Sequence, residues 1–245
     1  MGFISEGCTM TLRVLILDYS SDRSETDYFR KWLPQGVECT SVFVSEGCDV
    51  PSPVPFTHIM HTGSSLSICR DAPFIPEAAK LVRDCVELGI PQFGVCYGHQ
   101  LLCRVLLGPG AVRRNPAGLE AGWREITQTG ETPEIPEAGR KFRVLQSHFD
   151  EVVGLPEGST VVMTGGLSRI QGFVNRAMGL FSVQFHPEFD RDGGNALFLE
   201  SRELMESNGI DVDAAVASGP SIDAGTIFFS HFLRVFSRRM VESRP

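Results

Sequence analysis

The sequence predicts an α/β fold, a mostly parallel sheet with helices on both faces, and three features lead to it. Four apolar runs of strand length, with helical stripes among them, fill the first hundred residues. The fourth run ends in a glycine-flanked turn that opens a helix, as parallel sheets do at their ligand-binding edge. After about residue 110 the rhythm changes to short runs separated by turns, which adds strands, some of them antiparallel.

Taken in order, residues 1–10 read as a short leader, with Met10 as an alternative start, and residues 11–245 as one domain. Arg13-Val14-Leu15-Ile16-Leu17-Asp18 is the first strand. Ser24-Glu25-Thr26-Asp27 supplies capping and acidic first-turn residues to a helix carrying Tyr28, Phe29, Trp32 and Leu33 at helical spacing. Residues 37–44 form a second strand, and Pro51, Pro53 and Pro55 mark a loop before a third at 57–60. Ala78, Leu81, Val82, Cys85 and Val86 make the stripe of an amphipathic helix that Gly89 ends. The fourth strand then runs into Cys96. In such a sheet Cys96 and the loop at 61–65 both fall at carboxyl ends of strands, where ligands bind. Further strands follow at 120–127, 142–147, 160–164, 170–174 and 180–185, with a surface loop at 129–140. Two helices, near 194–207 and 223–239, pack on the domain, the second through Ile227, Phe228, Phe232, Leu233 and Phe236.

Composition narrows the function. The 245-residue chain is 42% hydrophobic and 21% charged, ordinary for a globular protein with a sizeable core. A formal net charge of -8 argues against a general nucleic-acid or anionic-membrane binder, which gains from a basic surface. No stretch has the apolar length of a membrane span, and nothing reads as a secretion signal, which points to the cytoplasm. Seven cysteines without regular spacing read as reduced thiols, not as a disulfide framework or a zinc site.

Two motifs carry chemistry. In Gly94-Val95-Cys96-Tyr97-Gly98-His99-Gln100 a thiol stands on a strand-to-helix corner, where a side chain projects out of the sheet. The glycines leave room for the corner, and the helix that follows points free N–H groups at the sulfur, a setting that suits an anionic nucleophile. Ninety residues later comes His186-Pro187-Glu188 at the end of an aromatic strand. Residues two apart in a strand share a face, so Glu188 can bond one imidazole nitrogen and set its tautomer. A thiol, a base and an orienting carboxylate make a hydrolytic or acyl-transfer site. Each residue also has a bland reading: Cys8, Cys39, Cys48, Cys69, Cys85 and Cys103 read as packing or incidental thiols, and a lone cysteine at 96 could be the same. His61 lines the pocket or is a satisfied loop residue. His58 and His231 read as packed, and Asp150 as a cap for local backbone N–H groups.

These motifs resemble the class I, or triad-type, glutamine amidotransferases. The match rests on Gly94-Val95-Cys96-Tyr97-Gly98-His99-Gln100 and on Val183-Gln184-Phe185-His186-Pro187-Glu188-Phe189. Thr62-Gly63-Ser64, Gly118-Leu119-Glu120-Ala121-Gly122-Trp123 and Ser147-His148-Phe149-Asp150 agree in order with the family's other landmarks. The resemblance implies a three-layer αβα flavodoxin-like sheet. It implies Cys96 as nucleophile, His186 as general base and acid, Glu188 as its orienter, and an oxyanion hole from the N–H groups of Gly63 and Tyr97. Gln100 and the backbone around Ser147 and His148 would hold the glutamyl amino-acid end of the substrate. The reaction implied is hydrolysis of a γ-glutamyl amide through a thioester, without metal or organic cofactor. The substrate is glutamine or another γ-glutamyl small molecule, and the family admits a separate synthetase subunit that takes up the ammonia. Ser64-Ser65 after a single Gly63, and His99 after Gly98, resemble the stand-alone branch that contains γ-glutamyl peptidases and proteins similar to the amidotransferase domain of guanosine monophosphate synthase. Three readings follow: a glutaminase, a γ-glutamyl peptidase or amidase that needs no synthetase, and a non-enzymatic sensor on the same scaffold.

Overall fold

A computed structural model describes residues 11–45, 50–130 and 134–237. The expected leader and two of the cysteines, Cys8 and Cys48, lie outside these residues. In chain order the elements are β1 (Arg13–Asp18), α1 (Glu25–Arg30), β2 (Glu38–Phe43), β3 (His58–His61), α2 (Ile75–Glu87), β4 (Gln92–Val95), α3 (Tyr97–Leu107), β5 (Val112–Arg114), β6 (Glu120–Gln128), β7 (Lys141–His148), β8 (Asp150–Val152), β9 (Thr160–Thr164), β10 (Gly172–Asn175) and β11 (Leu180–Val183). The helices α4 (Arg191–Glu200), α5 (Arg202–Ser207), α6 (Val212–Ser218) and α7 (Ala224–Val235) complete them.

Nine strands form one sheet in the order β2-β1-β3-β4-β11-β10-β9-β6-β7. The pairs from β2 to β11 are parallel, and those from β11 to β7 are antiparallel. Period-two alternation divides the core between the two faces. Val14 and Ile16 of β1 pack with Phe29 and the phenylalanines of α7, whereas Leu15 and Leu17 pack with α2 and α3. A third cluster joins Trp123, Leu145, Phe198 and Val212 beneath α4 to α6. The expected stripe on α7 docks on the sheet: Phe93 of β4 stacks on Phe181 at 5.2 Å and on Phe232 at 5.3 Å, and meets Phe229 edge-on. Among the described residues no helix is long and apolar enough to cross a membrane.

Several local expectations need correction. Ser24 does not cap α1 with its side chain. The buried carboxylate of Asp18, at the end of β1, accepts instead from the N–H and hydroxyl of Thr26, at 2.9 and 2.7 Å, and from those of Ser20, at 2.9 and 2.6 Å. The strand thus dictates where its helix starts. The helix expected at 194–207 begins at Arg191 and breaks at Ser201, and an additional helix, α6, precedes α7. α7 ends at Val235, short of residue 239, because Phe236 is extended. Strands β5 and β8 pair with each other outside the main sheet. The 129–140 loop is not all surface: the Gln128 side chain donates to the carbonyls of Ile135 and Gly139 and accepts from the Ile135 N–H, burying Ile135.

Phe93→Ala empties the centre of the aromatic stack. The expected loss is about 3–5 kcal/mol of unfolding free energy, checked by urea denaturation.

Candidate active site

Three neighbouring parallel strands build the site. β3, β4 and β11 stand side by side with His61 opposite Gly94 and Val95 opposite Val183. Their carboxyl ends therefore bring Gly63, Cys96 and His186 to one edge of the sheet, as the motif spacing leads one to expect.

The corner at Cys96 is strained. Its φ of 49° and ψ of -102° are rare for a residue with a side chain, and such conformations cost about 1–3 kcal/mol. Hydrogen bonds hold it: Cys96 N–H donates to the Val183 carbonyl at 2.9 Å, and Gly98 N–H to the Thr62 carbonyl at 3.0 Å. The two glycines are needed for contact. A Cβ at Gly98 would stand 2.4 Å from the His61 carbonyl oxygen, and one at Gly94 would stand 2.8 Å from the Gly98 backbone. The side chain of Cys96 is 4% exposed and lines a cleft of about 350 Å³. Tyr97 occupies the first position of α3, where an N–H has no partner within the helix. Gly63 lies against the histidine: a Cβ there would stand 2.9 Å from Cε1 of His186.

His186 is fixed from two sides. Its N–H donates to the Leu145 carbonyl of β7 at 2.9 Å, and its Nδ1 lies 2.5 Å from Oε1 of the fully buried Glu188. Nε2 has no hydrogen-bond partner among the described residues, and His186 and Cys96 line the same cleft. Burial pulls the His186 pKa down, but the charges of Glu188 and Cys96 outweigh it, and the ring holds its proton well above the ordinary histidine range. The indole of Trp32 donates to the Glu188 carbonyl at 2.8 Å, so α1 and the His-Pro-Glu segment are tied together.

The other sequence-predicted residues lie around the same cleft. Ser147 is half-buried on its wall. Gln100 also lines it, but its amide donates to the Asp150 carbonyl at 2.8 Å and to Gln184 at 3.1 Å, which makes it a brace between β8 and the end of β11. His148 donates from Nδ1 to the Asp150 carbonyl, and its Nε2 sits 3.1 Å from Gln146 and 3.4 Å from the buried carboxylate of Glu120. Asp150 does not cap local backbone: Oδ2 accepts from the Ser67 hydroxyl at 2.5 Å, and Oδ1 is buried without a partner. His61 stays out of the cleft, packed between the Tyr19 hydroxyl at 2.9 Å and Gln92 at 3.0 Å. Cys85 and Cys103 are buried thiols remote from the cleft lining, as expected. Sequence reasoning took Glu25 as a helix-start residue, whereas its side chain lines the cleft beside the triad-like group. No local signal could have shown this, because Asp18 does the capping.

The chain resembles known proteins in sequence and in fold. A profile of the family "Glutamine amidotransferase class-I" matches residues 5–202. The chain is 37% identical over 133 residues to a glutamine-hydrolyzing GMP synthase subunit of Saccharolobus solfataricus, covering 54% of this chain and 68% of that protein. It is 27% identical to the glutamine-hydrolyzing GMP synthase of Bartonella henselae, covering 80% of this chain but 36% of the longer protein. A crystal structure of a glutamine amidotransferase from Thermotoga maritima superposes with a TM-score of 0.73 at 22% identity, covering 91% of this chain and 96% of that one.

Two outcomes are expected. Gly98→Ala forces the first turn of α3 away from His61, lowering the thermal midpoint and slowing alkylation of Cys96. Burial lowers the His61 pKa to about 4, so the folded ring stays neutral where the unfolded one takes up a proton. Its contribution is intact above about pH 6.5 and is lost as pH falls toward 4, by roughly 3 kcal/mol at most. His61→Gln, followed by urea unfolding against pH, has the shallower slope across that window.

Proposed function

The chain belongs to the class-I glutamine amidotransferase family, and from that premise we propose that it hydrolyses a γ-glutamyl amide bond with Cys96 as nucleophile, His186 as general base and acid, and Glu188 as the carboxylate that orients the base. One observation carries the reading: the ends of three adjacent strands bring the thiol and an imidazole bonded to a buried carboxylate to one cleft, with Gly63 beside the imidazole.

In the proposed cycle the Cys96 sulfur, its proton taken by His186, attacks the γ-carboxamide carbon. The Gly63 and Tyr97 N–H groups meet the charge that develops on the oxygen. His186 returns its proton to the departing nitrogen, leaving a γ-glutamyl thioester and ammonia. Water, deprotonated by His186, cleaves the thioester to glutamate and free thiol. Glu188 keeps Nδ1 protonated throughout, so that Nε2 is the nitrogen that exchanges. In this reading the backbone around Ser147 and His148, which line the cleft, meets the amino-acid end. The names of the relatives suggest that a separate synthetase chain accepts the ammonia.

A second reading, a γ-glutamyl peptidase or amidase, is favoured by the cleft itself. Besides Cys96, it is lined by serines of the loop after β1 and by the apolar Leu119, Phe189, Leu197 and Leu204, within about 350 Å³. That space suits a leaving amine larger than ammonia.

The purified protein is expected to release glutamate from glutamine or from glutathione and other γ-glutamyl amides. Cys96→Ala should abolish turnover, and Glu188→Gln should lower kcat by about 10²–10⁴-fold. Glutamine as the preferred substrate supports the amidotransferase reading, and preference for a bulky γ-glutamyl amide supports the peptidase. Turnover undiminished in Cys96→Ala would overturn both.

A further inference from the structure

Glu25 follows the turn that Asp18 clamps, and the two hydrogen bonds from Thr26 to Asp18 fix its backbone. Its side chain reaches over Gly63. The point where a Gly63 Cβ would stand is 2.9 Å from Cε1 and 3.5 Å from Nδ1 of His186, and 3.7 Å from Oε2 of Glu25. The carboxyl and the imidazole edge therefore border the same point over Gly63, which has no side chain to separate them. Oε2 of Glu25 is buried without a hydrogen-bond partner. The arrangement is rigid: besides the Trp32 bond to Glu188, the Tyr28 ring of α1 packs on Phe189 at 4.5 Å, and Phe189 packs on the His186 ring.

Resting on the hydrolase reading above, we propose that Glu25 is a positioning residue for the base: its carboxyl, beside the His186 imidazole over Gly63, governs how long that ring keeps its proton as the solution turns alkaline. The groups facing Glu25 are His186 and Glu188 from the segment after β11, Asp18 from the end of β1, Asp22 from its own loop and Tyr28 from the next turn of α1. Burial raises the Glu25 pKa most, the anionic Glu188 adds to this, and the result is about 8 despite the opposing charge of His186. At neutral pH the carboxyl is thus an uncharged acid and adds no second anion to the pair of Glu188 and His186. When it ionises, it faces the imidazolium, and each charge favours the other. The ring then stays protonated further into alkali. That matters because the departing amine needs the proton that this ring carries.

The test is Glu25→Gln, which copies the shape of the neutral acid and cannot ionise. With kcat normalised to each protein's own maximum, the alkaline limb is expected to fall about one pH unit lower in Glu25→Gln than in the parent protein. Glu25→Asp, which keeps an ionisable group, should fall between them. A second readout needs no substrate. The alkaline inflection in the rate of Cys96 alkylation by iodoacetamide, followed at the Cys96 peptide with Cys96→Ala as control, should move in the same direction. Failure of the hydrolase reading would therefore leave this measurement standing. Superimposable normalised profiles, including those from a uniform loss of activity at every pH, would overturn the proposal.

Discussion

A contact between two stretches of main chain governs the rest of this site. The first turn of α3 lies so close to the end of β3 that even a methyl group on Gly98 would press into the His61 carbonyl. That approach lets the Thr62 carbonyl accept from Gly98 and sets Gly63 beside the corner. It also holds Cys96 at a positive φ, which the isolated corner would not keep. The stabilisation comes from outside the site, from a rigid parallel sheet whose centre is filled by stacked phenylalanines. Strain at the cysteine and density beneath it are two aspects of one arrangement.

Buried carboxyl groups around the cleft are treated in different ways, and the differences assign their work. Asp18 takes donors from Ser20 and Thr26 on both oxygens and shapes a turn. Glu120 accepts from the Leu167 and Ser168 N–H groups and the Gln171 amide, so it ties β6 to the loop after β9. Glu188 pairs with an imidazole. Glu25 has no such donor on its buried oxygen. A carboxyl in that position is stable only with its proton on, or with a cation facing it.

The parallel half of the fold and the corner were legible in the sequence because each leaves a local mark. Buried strands such as β1 read as apolar runs, α2 shows a clear stripe, and the glycines at 94 and 98 announce a tight turn. Strand geometry leads one to pair His186 with Glu188, and the two do pair, but in a turn beyond β11 where His186 makes only an isolated bridge to Leu145. What stayed hidden has no periodicity to show. β5 and β8 are three-residue strands rich in charge, Val112-Arg113-Arg114 and Asp150-Glu151-Val152, which exist because they find each other. α6 is too short for a stripe. The commitment of the Gln100 amide to Asp150 and Gln184, and the reach of Glu25 over Gly63, are tertiary contacts between distant segments.

The nucleophile-like cysteine hangs from the parallel part of the sheet, whereas the histidine is pinned to β7 at the antiparallel end, through the Leu145 carbonyl. The two lie ninety residues apart in the chain. As the polypeptide leaves the ribosome, the thiol therefore emerges long before its partner has been synthesised. Even then the partner has no anchor until the last strands have closed against the first. A half-made chain carries the thiol without the imidazole, so the two can meet only after 186 of the 245 residues have been made.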